Sequence, residues 1–184
     1  MKKALIVMAF IFISPIIAGV FGILHNQFTY TISDEFFTEV LFERFGFVQY
    51  GQDTPRLTAS IIGVWSTWWM GLITGFIFAI ISLFHSNVRQ MIKSIKRATL
   101  VTLVTSITFG LIGLCYGFLG FSRLNSSCCF PLQIHNIKSF IAVSEMHSFS
   151  YLGGAVGLFL GILWQIKGIK EDKRFHRDTQ TINA

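Results

Sequence analysis

ALIVMAFIFISPIIAGVFGIL, residues 4–24, runs for 21 positions without a charged side chain or an amide. A helix needs about 20 apolar residues to cross the hydrocarbon core of a bilayer, so this run predicts a transmembrane span. Lys2 and Lys3 precede it, as basic residues precede a signal peptide. The run is longer than a signal core and no A-x-A-like cleavage site follows, so it reads as a retained helix. Pro15 sits mid-run, where lipid-buried helices tolerate proline.

Three more runs have the same character, at 57–84 with a cluster of Trp65, Trp68 and Trp69, at 98–120, and at about 146–166. The expected fold is therefore all-α: a single membrane domain over 1–184, built as a four-helix transmembrane bundle with a tail at 167–184. The composition agrees. The chain is 52% hydrophobic and only 13% charged, where soluble domains carry about 25% charge. The lipid bilayer is the first expected partner. The tryptophans suit an interfacial belt.

Orientation follows from the basic residues. Lys2, Lys3, Arg89, Lys93, Lys96, Arg97, Lys167, Lys170, Lys173, Arg174 and Arg177 fall on one side of this topology. Arg44, Arg56, Arg123 and Lys138 fall on the other. The positive-inside rule puts both termini in the cytoplasm and the 25–56 and 121–145 loops outside. The formal charge of +6 is then a topology signal with affinity for anionic lipid, and a nucleic-acid partner is not expected.

The polar block HNQFTYTISDEFFTE, residues 25–39, follows the first run. From Ser33 it predicts a short amphipathic exterior helix over 33–45. Ser33 is a suitable N-cap, and Asp34 and Glu35 suit the first-turn dipole. Glu35, Glu39 and Glu43 recur at i, i+4 and i+8 on one face, opposite Phe36, Phe37, Val40 and Leu41. Some of these acids are expected to point inward over the bundle. His25 would end the first span and His147 would open the fourth, with Glu145 two residues before it. His25, Glu35, Glu39, Glu145 and His147 thus form a candidate exterior metal site. Imidazole with carboxylate suits iron, copper, zinc or manganese, with redox chemistry open to some of these. Asn26, Gln27 and Tyr30 would orient the ligands. Two alternatives use the same residues: a hydrogen-bonded structural collar in a non-catalytic assembly protein, and a proton relay in a small transporter.

Gly153, Gly157 and Gly161 recur every four residues on the fourth span, with Gly71 and Gly75 on the second and Gly113 and Gly117 on the third. Such stripes let helix backbones approach in lipid. The fourth-span stripe either packs the bundle within one chain or offers a homodimer face. Cys115 reads as buried packing, and Cys128 and Cys129 stand side by side in the exterior loop. His135 reads as a surface residue, and the tail as a frayed end. P-loop, dinucleotide, serine-triad and haem-attachment motifs are absent from the sequence.

HNQFTYTISDEFFT, TPRLTASIIGVWSTWWMGL and MHSFSYLGG together resemble an uncharacterised family of small bacterial integral membrane proteins. Its members carry a similar H-D-Q-x-[ST]-Y-T-I-S-x-E-Y-[FY] block after the first helix. The resemblance implies a bacterial inner-membrane protein and singles out His25, Tyr30, Glu35 and His147. It brings no activity with it. Asn26 stands where the family has Asp, which weakens it as a ligand.

Reporter fusions after Lys96 and after Ile166 should read cytoplasmic, and fusions within 25–56 and 121–140 exterior. A cytoplasmic signal from residue 50 would reverse every side assignment.

Overall fold

The structure, a computed structural model, describes residues 2–120 and 134–182, with side chains as far as residue 174. The chain is helical, and no strand occurs among the described residues. In order it forms α1 (Lys2–Ile32), a π-helical turn (Phe37–Leu41), α2 (Phe42–Phe45), α3 (Val48–Asp53), α4 (Pro55–Ser82), α5 (Val88–Phe118) and α6 (Ile137–Ile182). Four helices are long and apolar enough to cross a membrane: α1, α4, α5 and the Ile137–Arg174 part of α6.

The helices associate as two tight pairs. α1 packs along α4, and α5 along α6, while the two pairs touch each other sparingly. Glycine sets both approaches. A Cβ on Gly22 would lie 2.6 Å from Thr67 Oγ1 and 2.7 Å from the Gly63 carbonyl carbon. A Cβ on Gly153 would lie 2.7 Å from Thr105 O, and one on Gly157 2.6 Å from Thr102 Cα. Lipid tails are as apolar as leucine, so such pairs are held by backbone-level packing and by polar contacts between helices. The Thr67 hydroxyl makes one of these, donating to Ala18 O at 2.8 Å. Gly153 and Gly157 are therefore packed against α5 within the chain.

Helix boundaries differ from the sequence expectation. α1 does not stop at 24 but continues for two more turns, so residues 25–32 are helix and not loop. Nothing in HNQFTYTI breaks a helix, and its polar side chains bond within the fold: Thr29 Oγ1 donates to His25 O at 2.9 Å and Thr31 Oγ1 to Gln27 O at 2.9 Å. α6 begins at Ile137, well before 146. It also carries through the expected frayed tail to Ile182, with Asp172 Oδ2 accepting from Ser86 N at 2.7 Å. Cys115 is exposed on the outer face of α5, not buried. Cys128 and Cys129 lie outside the described residues. Pro15 is accommodated in α1 because the Ser14 hydroxyl donates to Ile11 O at 3.3 Å, the carbonyl that proline leaves without its amide partner.

The pairs are joined at their two ends. At one end Val7 and Ala79 meet Met91 and Ile95. At the other, Phe36, Phe37, Leu41 and Phe42 pack over Ala59, Ile62, Phe140 and Val143. The first is the basic end, where Lys3 Nζ donates to the His85 carbonyl. There, burial pushes the His85 imidazole below its ordinary pKa, the Asp172 carboxylate pulls it back up and Lys3 lowers it further.

Gly157→Leu should force α5 and α6 apart and cost about 1–3 kcal/mol of stability, the usual range for overpacking. The thermal midpoint in detergent measures it. Gly154→Ala, whose Cβ would meet only the tip of Met70 at 3.4 Å, should leave that midpoint nearly unchanged. Equal behaviour of the two variants would contradict the pairing.

Candidate functional site

The exterior helix forms, but its inward face is apolar. Ser33 caps it as expected, with Phe36 N donating to Ser33 Oγ at 3.4 Å. Phe36, Phe37, Leu41 and Phe42 are buried, Glu35 and Glu39 half-buried, and Glu43 exposed. The expectation that acids point inward is thus overturned. The cause lies in the spacing of the apolar pairs. Phe36–Phe37 and Leu41–Phe42 are five residues apart, which suits hydrogen bonds from i to i+5. Phe42 N accordingly donates to Phe37 O. The widened turn keeps both pairs against the bundle and breaks the i, i+4, i+8 register of the acids.

The two histidines do meet. Their ring centroids are 4.6 Å apart, edge to face. His25 Nε2 lies 3.0 Å from Ser150 Oγ, and His147 Nε2 lies 3.2 Å from Thr29 Oγ1. The arrangement is crossed. On α1, His25 and Thr29 are one turn apart, and on α6, His147 and Ser150 are likewise. Each imidazole reaches the hydroxyl of the other helix. Thr29 Oγ1 also donates to His25 O at 2.9 Å, so the hydroxyl is shared between its own helix and His147. Phe36 and Phe37 stand against the His147 ring at 5.1 and 6.0 Å.

The remaining expected ligands are elsewhere. Glu35 accepts from the backbone amides of His135 at 2.6 Å and Asn136 at 3.0 Å, ahead of α6. Glu145 and His147 are two apart on a continuous helix and so project to different faces. Among the described residues no group of three or more His, Cys, Asp or Glu side chains could hold a metal ion. The five-residue set is reduced to its two imidazoles. The expected orienting residues serve α4 instead. Asn26 Nδ2 donates to Ala59 O at 2.9 Å, Gln27 Nε2 to Arg56 O at 2.7 Å, and the Arg56 guanidinium sits 5.0 Å over the Tyr30 ring. His135 is exposed, as expected.

No protein-family model, curated protein or solved structure matches this chain.

The histidines close one end of a cleft between the two helix pairs. The cleft encloses about 840 Å³, part of it open to the surroundings. Many hydroxyls line it, and most are spent on backbone carbonyls, while the buried Thr99 Oγ1 has no partner. Ser66 donates to Gly63 O (3.1 Å), Thr67 to Ala18 O (2.8 Å), Thr74 to Met70 O (2.8 Å), Thr102 to Ala98 O (3.0 Å) and Ser106 to Ser150 O (2.8 Å). With Phe10, Phe21, Met70 and Phe78 they make an apolar wall. A second chamber, about 1260 Å³ including its open part, lies under the exterior helix and carries Arg44, Ser144 and Ser148. His147, Asn26, Ser66 and Tyr151 line both spaces.

Glu35→Ala should destabilise the fold by about 1–2 kcal/mol, the usual loss when a capping carboxylate is removed. Glu39→Ala and Glu43→Ala should be nearly silent in detergent thermal melts. Matching losses at Glu35 and Glu39 would restore a shared role for the two acids.

Proposed function

We propose that this integral membrane protein binds an amphipathic molecule drawn from the bilayer. Its chain lies in the cleft between the helix pairs, and its hydrogen-bonding head group lies in the chamber at His147. The observation that carries the reading is the shared wall: an apolar cleft and a polar chamber meet at His147, beside His25. Ligand sites are mostly apolar with a few convergent polar groups, and the cleft and chamber together have that character. His25 and His147 serve here as donors and acceptors to a head group. Arg44, Ser144 and Ser148 supply further partners for it.

This reading takes up the histidine pair from the metal expectation without the ion, since only two of the five ligands come together. Placement in a bacterial inner membrane, with the histidine end outside, remains part of the proposal and rests on the basic residues at the opposite end.

The test is photolabelling of the protein in nanodiscs with a diazirine-bearing fatty alcohol and a diazirine-bearing prenylquinone. At least one probe should label cleft residues such as Met70. Gly154→Leu, which fills the cleft opposite Met70, should reduce that labelling several-fold, and His147→Ala should reduce it with the fold retained. Chelation by EDTA should change nothing. Labelling confined to lipid-facing residues such as Phe12 and Phe76 would overturn the proposal. A stoichiometric ion whose removal by EDTA abolishes labelling would overturn it in favour of a metal centre.

A further inference from the structure

At the basic end a separate pocket of about 830 Å³, part of it open, lies between the 83–87 turn, the start of α5 and the Trp164–Asp172 part of α6. Lys93 and Arg97 line it from successive turns of α5, both exposed, and neither forms an ion pair among the described residues. The Arg97 guanidinium stands 6.0 Å over the Trp164 ring, within the range of a cation–π contact. Two buried side chains also line the pocket, His85 (4% exposed) and Ser94 (8% exposed). His85 Nε2 and Ser94 Oγ have no hydrogen-bond partner. A buried polar atom without a partner is costly, and such atoms are rare in folded proteins. Two cations beside a buried hydroxyl without a partner form a donor set suited to an anion.

We propose that this pocket binds a phosphate group, with Lys93 and Arg97 supplying the charge and the Ser94 hydroxyl supplying a hydrogen bond. Arg and Lys are the ordinary phosphate partners, and basic pockets between membrane helices on the cytoplasmic side accept lipid head groups. The two acids in the lining are compatible with this. Asp172 is turned to the Ser86 amide at 2.7 Å and to His85 Nδ1 at 3.7 Å, which orients the imidazole. Glu171 lies on the exposed rim, where it opposes the anion without occupying its place. The phosphate can come from the head group of an anionic phospholipid or from a soluble phosphate. The pocket stands apart from the cleft lining and does not depend on the function proposed above.

The experiment counts lipids retained by the full-length protein, by native mass spectrometry after extraction from nanodiscs of mixed phosphatidylglycerol and phosphatidylcholine. The wild type should retain phosphatidylglycerol selectively. The pair Lys93→Gln with Arg97→Gln should lose it, and so should Ser94→Ala, which alters no charge. Glu171→Gln should strengthen retention. The pair Arg89→Gln with Lys96→Gln, an equal loss of charge outside the pocket, should keep it. Thermal stabilisation by millimolar inorganic phosphate, lost in the same pocket variants, would assign the site to a soluble phosphate. Equal loss of lipid in both double variants, or no response to either probe, would overturn the site.

Discussion

The closeness of the backbones within each helix pair governs the rest of the molecule. Where Gly22 meets Gly63, and where Gly157 meets Thr102, there is no room for a Cβ. Helices that approach this closely direct their small residues to their partner. Their larger side chains must then project to lipid or toward the other pair. Phe12, Ile16, Trp65, Phe76 and Phe159 take the first course and are exposed. Phe10, Phe21 and Phe78 take the second, and they hold the pairs apart along the middle of the bundle. The buried apolar clusters consequently lie at the two ends, and the space between them is a cleft.

The crossed histidine–hydroxyl contacts gain their importance from that geometry. Few other contacts bridge the pairs in this region, so His25 with Ser150 and His147 with Thr29 tie α1 to α6 where the apolar clusters do not reach. Hydrogen bonds between membrane helices are worth roughly 0.6–2 kcal/mol each, modest but not negligible where packing is sparse. The phenylalanines of the exterior helix rest on the same ring. The widened π turn thus has a consequence beyond its own residues, because it presents Phe36 and Phe37 together to His147.

Much of the architecture is readable from hydropathy alone, since nothing but a helix satisfies its own backbone over 21 apolar residues in lipid. Glycine spacing likewise reveals which faces approach. What it does not reveal is the partner, because Gly153 and Gly157 look the same whether α5 or a second copy fills them. The meeting of His25 with His147 is also legible, as two imidazoles placed where neighbouring spans reach the same height. The ligand set around them is not. Glu145 looks adjacent to His147 in the sequence, but only once α6 is known to run unbroken through both does the helix rotation separate them. Glu35 looks like a member of an acidic stripe, but five-residue spacing of the phenylalanine and leucine pairs breaks that stripe. The hydroxyls of Thr29 and Ser150, one turn from each histidine, carried a usable signal that only the local approach of α1 to α6 makes meaningful.

The contrast between the cleft and its neighbouring chamber bears on selectivity. A chain moving from the bilayer into the cleft leaves one apolar medium for another, so it gains little of the roughly 0.8 kcal/mol per methylene that leaving water would bring. The cleft can accept a chain of fitting width without preferring it strongly. A head group behaves differently. Held in apolar surroundings without partners, it would cost about 2–7 kcal/mol, and a wall whose hydroxyls are mostly bonded to backbone carbonyls offers it few. At His147, with His25 behind it and Arg44, Ser144 and Ser148 around the chamber, partners become available. The free-energy difference between one amphiphile and another therefore arises almost wholly at that end, and the orientation follows: head toward the exterior helix, chain toward Phe78.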